Sequence, residues 1–343
     1  MSRRQLLAWV LGLIAVLAPP LVANEMPRQK IAVANGEDLA LTADGRWVIA
    51  SSMPGAGLSE GALYGIDVDS GAVAVLTADQ VSEHAGAWAG CPAPEAPQTL
   101  SPHGIALQTI EGREILLVVN HGARESVEVY EVVGDDALTL RWLDCLVLPQ
   151  GAMANAVAAT ADGRVFVTNM NDDSDTGDDR RWMGNVLVWS AGAGWAPLAD
   201  SRIYAPNGLL VADDGRTLYV ASWAGGEVIR LSADPTMPRA VLALPFLPDN
   251  LRWGDGGTLL ATGLRGTPEA VVNCVMGPCE QPPLTGVAHI DTATFQASCV
   301  RELALAMGTV AVPVGGDLWV GPVRGEAIWV VDGGEGGGIH CRD

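Results

Sequence analysis

A polar, glycine-bearing turn followed at once by a short apolar strand returns six times along the chain, and this narrows the possible folds more than any other feature. The copies are "ADGRWVIAS" at 43–51, "EGREILLVVN" at 111–120, "ADGRVFVTN" at 161–169, "DDGRTLYVAS" at 213–222, "GDGGTLLATG" at 254–263 and "VGGDLWVG" at 314–321. Tight hairpin turns need positive φ, and Gly45, Gly112, Gly163, Gly215, Gly256 and Gly316 hold that place. Further short strands flank each copy, as "NGLLVA" and "GEVIRLSA" flank the fourth, and no segment after residue 24 sustains a helical period of apolar residues. Strand-turn-strand units recurring every roughly 40–65 residues mark a propeller, in which each blade buries its faces against its neighbours. The expectation is an all-β fold, a six-bladed β-propeller, ahead of a β-sandwich pair or an irregular β-solenoid.

The N-terminus carries a different signal. Arg3 and Arg4 precede an apolar run from Leu6 to Ala18, then Pro19-Pro20 and Leu21-Val22-Ala23. That order of basic, apolar and small residues is an export signal, and the run is short for a bilayer span. Residues 1–23 are read as a signal peptide, with a retained anchor as the alternative, and 24–343 as one propeller domain. Export to the periplasm or beyond suits the six cysteines, an even number that reads as disulfides. Cys274 with Cys279 in "CVMGPC" is the easiest pair, followed by Cys91 with Cys145 and Cys299 with Cys341. Forty acidic against twenty basic residues give a formal charge of −20, which repels phosphate backbones and anionic lipid. Nucleic acid and polybasic membrane docking are set aside; a field that gathers cations remains open.

In a propeller the innermost strands run the same way around a central channel, so their starts meet at one mouth. Eight residues before each turn glycine lie Glu37, Gly104 beside His103, Asn155, Asn207 and Gly308; in the fifth copy a shorter step reaches Asp249-Asn250. Acids and amides are costly in a dry channel without a partner. Glu37, Asn155, Asn207, Asp249 and Asn250 offer oxygen alone, two carboxylates and three amides, a set that suits Ca²⁺ better than Mg²⁺ or Zn²⁺. Any one Asn is more simply a turn former, but five polar residues at matching positions argue for an ion.

Two histidines add reactivity. His103 starts an inner strand in "SPHGIAL", and His121 ends the antiparallel neighbour in "LLVVNH", so both return to the same mouth. One imidazole can take a proton from water while the other orients or relays it, with the cation polarising a carbonyl. The chemistry implied is attack of water on an acyl carbon. A serine nucleophile is not expected. The acidic stretch "NDDSDTGDD" at 171–179 lacks the glycine position of an EF-hand and is read as a loop over the mouth.

Taken in order, "GEDLALTADG", "SPHGIAL", "LLVVNH", "NAVAA", "VTNMND", "APNGLL" and "LPDNL" resemble the serum paraoxonase (arylesterase) family of Ca²⁺-dependent lactonases. The resemblance implies a six-bladed propeller that hydrolyses lactones and aryl esters, small-molecule substrates. It implies Glu37, Asn155, Asn207, Asp249 and Asn250 as catalytic Ca²⁺ ligands, with His103 and His121 moving protons. It also implies a second, structural Ca²⁺ on Asp38, the Ile105 carbonyl and an Asp after the third-blade Asn. Here that last position is Ala156, which leaves the second ion weakly held or absent. The family joins its two ends by a disulfide; this chain has no cysteine before Cys91, so another device must close the ring. Rival readings are a sugar-lactone hydrolase of the gluconolactonase and regucalcin type, which does not need the histidine pair, and a non-catalytic, Ca²⁺-stabilised binding propeller. A strictosidine-synthase-like role is a lesser possibility on the same scaffold.

Overall fold

The structure, a computed structural model, describes residues 27–55, 60–79, 88, 100–134, 137–170, 182–234 and 237–333. The expected signal at 1–23, the loop at 171–179, Cys91 and Cys341 lie outside the described residues.

All six repeated turn glycines adopt positive φ, between 64° at Gly215 and Gly256 and 91° at Gly316. Each joins an innermost strand to the antiparallel second strand of a separate sheet. The innermost strands are Gly36–Leu41, Pro102–Ile110, Ala154–Ala159, Pro206–Val211, Leu247–Trp253 and Gly308–Val314. The sheets step outward from them in chain order, except that the rim of the second blade is Ala78–Asp79 and that of the sixth is Gln29–Ile31, giving the six-bladed β-propeller that the repeat predicts. The hydrophobic cores lie between blades, one for each neighbouring pair. Ile49 and Leu63 of the first blade meet Leu116 and Val118 of the second, for example, all within 1% of complete burial. Such side chains contribute about 1.5–3 kcal/mol each on burial, so the blades hold one another upright and none is a separate unit.

The last blade closes the ring without a disulfide between the chain's ends. Its sheet takes its outermost strand from the start of the chain: Gln29–Ile31 pairs antiparallel with Ile328–Asp332. Arg28 extends the seam, reaching Asp317 at 2.7 Å and Asp332 beside it. This is the closing device that the missing cysteine calls for.

One helix departs from the all-strand expectation. Pro268–Met276 is inserted between the second and third strands of the fifth blade. Proline sits in its first turn and the Thr267 side chain accepts from the Ala270 amide, the usual N-terminal signals. The Cys274–Cys279 disulfide straddles its C-terminal end, as expected for "CVMGPC". Cys145 and Cys299 are also disulfide-bonded, and their expected partners Cys91 and Cys341 lie outside the described residues.

Candidate active site

Every innermost strand begins with the same irregularity. The pairing to the second strand slips between Gly36 and Asp38, Pro102 and Ile105, Ala154 and Val157, Pro206 and Leu209, Pro248 and Leu251, and Gly308 and Val310. A β-bulge breaks the strict alternation of a strand and re-aims side chains. The residues inside the six bulges are Glu37, His103-Gly104, Asn155-Ala156, Asn207-Gly208, Asp249-Asn250 and Thr309. All five expected oxygen ligands and His103 therefore occupy equivalent places around the axis. Close approach of the strands there excludes a side chain at two glycines. A Cβ on Gly104 would stand 2.3 Å from the Asn155 carbonyl, and one on Gly208 would stand 2.4 Å from that of Asp249.

The five polar residues are shut away from solvent: Glu37 1%, Asn155 4%, Asn207 5%, Asp249 8% and Asn250 1% exposed. They form one connected cluster. The Asn250 amide donates to Glu37 Oε1 at 2.8 Å, and Glu37 Oε2 lies 3.9 Å from His103 Nε2. The Asn155 amide nitrogen lies 3.4 Å from that same His103 atom, and the Asn207 side chain hydrogen-bonds Asp249. Thr309 Oγ1 donates to the Glu37 carbonyl at 2.9 Å, so the sixth blade contributes a brace.

The amide nitrogens are occupied, but the oxygens are not. Glu37 Oε2, Asn155 Oδ1, Asn207 Oδ1 and Asn250 Oδ1 are fully buried without a hydrogen-bond donor. Each such atom costs about 1–3 kcal/mol. Charge tells the same story. Burial, then Asp38 and Asp249, push the Glu37 carboxyl well above its ordinary range, and burial with Asp38 pushes Asp249 up to about 8. No three His, Cys, Asp or Glu side chains converge as a metal cluster among the described residues, so amide oxygens make up most of the donor set. Four starved oxygens and two buried carboxyls, with Glu37 only partly relieved by Arg252, fit a hard divalent cation of the Ca²⁺ type.

The residues implied for a second ion do not fit one. Both Asp38 oxygens are already engaged, Oδ1 by the Leu39 amide at 2.9 Å and by Arg252, Oδ2 by the Ile105 amide at 2.8 Å. The Ile105 carbonyl accepts from Arg252 Nη2 at 3.1 Å. The guanidinium also donates through Nε to the Leu39 carbonyl at 2.6 Å and through Nη1 to Leu251 at 2.7 Å. A tethered cation thus spans the first, second and fifth blades beside the ring, at the edge of a cavity of about 340 Å³. With Ala156 in the third position, no starved oxygen is left there.

The histidines meet as expected. His103 Nδ1 lies 3.0 Å from His121 Nε2. Burial, with His121 adding to it, lowers the His103 pKa to about 3, so this ring is neutral. Glu125 completes the row, its two oxygens 2.8 and 3.0 Å from His121 Nδ1. Sequence reasoning passed over this glutamate; a carboxylate four residues beyond a mouth histidine, just ahead of the next strand, was the available signal. His289 is buried in the fifth blade, away from this row, with burial lowering its pKa.

A six-bladed ring with a polar, oxygen-lined axial mouth defines a class of small-molecule propeller proteins. Within it, residues 54–247 match the SMP-30/Gluconolactonase/LRE-like region, and the chain belongs to that family. No curated protein matches the chain. A gluconolactonase from Xanthomonas campestris is similar in structure, with a TM-score of 0.56 at 19% identity over 88% of this chain and 87% of that one. A luciferin-regenerating enzyme has a TM-score of 0.56 at 13% identity over 89% and 93% of the two chains. A structure described as a putative gluconolactonase has a TM-score of 0.54 at 14% identity over 90% and 94%. At these identities the neighbours bear on the fold alone.

Proposed function

We propose that the chain is an exported, Ca²⁺-dependent hydrolase of lactones and related esters, of the paraoxonase-like kind. Family membership supports a lactonase-type hydrolase. The single observation that carries the finer assignment is the set of starved oxygens of Glu37, Asn155, Asn207 and Asn250 gathered beside a neutral imidazole. A Ca²⁺ ion held by those residues and Asp249 would supply stabilisation of the negative charge that grows on the acyl oxygen. His103 Nε2, facing the ring, takes a proton from water. His121, less buried, accepts the displaced charge through Nε2. The buried cluster keeps bulk water away, which strengthens each of these interactions.

The surroundings favour an apolar substrate arm over a polyhydroxylated one. On the side of the mouth, Trp223, Leu264, Val271 and Met307 form a buried apolar cluster joined by Met170 and Trp182. Trp182 and Trp223 pack with ring centres 5.6 Å apart, and Met170 Sδ lies 3.4 Å from the Asn155 amide. Among the described residues, the partly buried Met170 and Trp182 put apolar surface beside Asn155, whereas a sugar lactone needs a set of hydrogen-bond partners. An oxidising compartment, as an export signal at 1–23 would provide, suits the bonded Cys145, Cys274, Cys279 and Cys299.

Purified protein should hydrolyse alkyl-substituted lactones and aryl esters, lose the activity in chelator and regain it with added Ca²⁺. Preference for gluconolactone would favour the sugar-lactone alternative. Absence of chelator-sensitive turnover on every ester would leave a binding propeller.

A further inference from the structure

We infer that Glu125 is a positioning residue that fixes the direction of proton transfer through the histidine pair; the inference rests on the hydrolase proposed above. A carboxylate can only accept, so the proton between it and His121 must sit on Nδ1. With Nδ1 carrying the hydrogen, the neutral form of His121 presents a bare Nε2, and in that form the 3.0 Å contact to His103 requires the proton on His103 Nδ1. Neutral His103 is left with its lone pair on Nε2, the atom that faces Glu37 and Asn155. One glutamate thereby sets both tautomers and leaves the basic nitrogen pointing at the oxygen ring. Without it, the opposite arrangement of protons is open, and Nε2 of His103 could carry hydrogen and be useless as a base.

The loop that presents Glu125 is built to hold it. Asn120 Oδ1 accepts from the amides of Ser101 and Gly122 at 2.8 and 3.0 Å, and its Nδ2 donates to the Arg124 carbonyl at 3.2 Å. The Leu148 amide donates to the Glu125 carbonyl at 3.0 Å, and the His121 amide to that of Ser101 at 2.9 Å. The neighbouring cation is committed to a different carboxylate: Arg124 Nε lies 3.0 Å from Glu128 Oε1. Glu128 is also bound by Ser126 and Trp142, so Arg124 and Glu128 form a buried brace under the turn.

The proton balance follows. An O–H bond of water breaks as its oxygen bonds the acyl carbon, and the proton goes to His103 Nε2. The proton on His103 Nδ1 passes to His121 Nε2, making an imidazolium whose Nδ1–H still donates to Glu125. The charge has moved from a buried ring to one that is 22% exposed and paired with a carboxylate. The path reverses as the ester C–O bond breaks, and the departing oxygen takes the proton, giving the hydroxy acid or the alcohol.

The test uses the full Ca²⁺-loaded chain with ¹⁵N-labelled histidine, the His121 signals being assigned from His121→Gln. Two-bond ¹H–¹⁵N correlation spectra report which ring nitrogen carries hydrogen, with no turnover involved. In the unsubstituted protein His121 should show the Nδ1–H form. Glu125→Gln should mix the two forms and lower kcat on phenyl acetate roughly 10- to 100-fold, with KM within about twofold. Glu125→Asp should recover part of both the spectrum and the rate. A His121 protonated on Nε2, or an unchanged kcat and spectrum in Glu125→Gln, would overturn the inference. An Nδ1–H His121 in a protein that hydrolyses neither phenyl acetate nor an alkyl lactone would uphold the positioning and remove the hydrolase.

Discussion

Replacement of Asn155 by leucine should invert the order of stability on adding Ca²⁺, and the size of the inversion can be worked from the site. The Asn155 carbonyl oxygen is buried without a donor, while its amide nitrogen makes only long contacts, 3.4 Å to His103 and 3.4 Å to Met170. Leucine has a similar shape, so Asn155→Leu removes a desolvated oxygen worth about 1–3 kcal/mol and loses little in return. Unfolding entropy of about 2.1 cal/mol/K per residue over 343 residues gives about 0.7 kcal/mol per degree near Tm. In chelator the variant should therefore melt roughly 1.5–4 °C above the parent. With Ca²⁺ at a thousand times Kd, the parent gains about 4.1 kcal/mol, roughly 6 °C, and the variant, short of a ligand, gains far less. Scanning calorimetry in chelator, in Ca²⁺ and in Mg²⁺ makes the comparison. A variant less stable than the parent in all three conditions would show that the amide is an ordinary structural group.

His103→Ala and His121→Gln should each lower kcat on a hydrophobic lactone by about 10²–10⁴-fold while leaving a calorimetric Ca²⁺ shift in place; unchanged turnover would remove the proton-relay role. Arg252→Met leaves Asp38 buried and unpaired and should cost about 3–5 kcal/mol in thermal or urea unfolding, whereas a loss within experimental error would mean that the pair is dispensable. Titration calorimetry of the parent should find one Ca²⁺ per chain, and a second tight site would contradict the fully engaged Asp38. Ca²⁺ affinity should rise as pH rises toward about 8, because burial holds the proton on Asp249 up to that value and the ion must displace it. By the same sign, the ion-free fold holds that proton more tightly than the unfolded chain does and loses stability as pH climbs from the ordinary aspartate range to about 8. A pH-independent affinity, with no buffer-dependent heat of proton release, would contradict this.

The blades were legible because each repeats one local solution, a glycine turn after an inner strand, and six repetitions outvote any ambiguous copy. The ring residues were legible for the same reason: Glu37, Asn155 and Asn207 sit at one offset from Gly45, Gly163 and Gly215. The sixth blade hid its part, since Thr309 serves through a hydrogen bond to the Glu37 carbonyl and a threonine beginning a strand carries no chemical flag. Arg252 was illegible because its partners are 214 and 147 residues away, and no local pattern links such positions. The helix Pro268–Met276 is too short for its period to stand out in a glycine- and proline-rich stretch. Glu125 was hidden by geometry: its value depends on the return of His121 to the mouth, which only the folded sheet makes visible.

The seam between Gln29–Ile31 and Ile328–Asp332 makes this molecule a circle drawn with a single stroke. The opening segment of the domain stays without its neighbour until the final blade has been synthesised. Assembly is therefore committed late and as a whole. Until that moment the half-built arc exposes a strand edge at either end, which pairs with the other end of its own chain or with a second molecule.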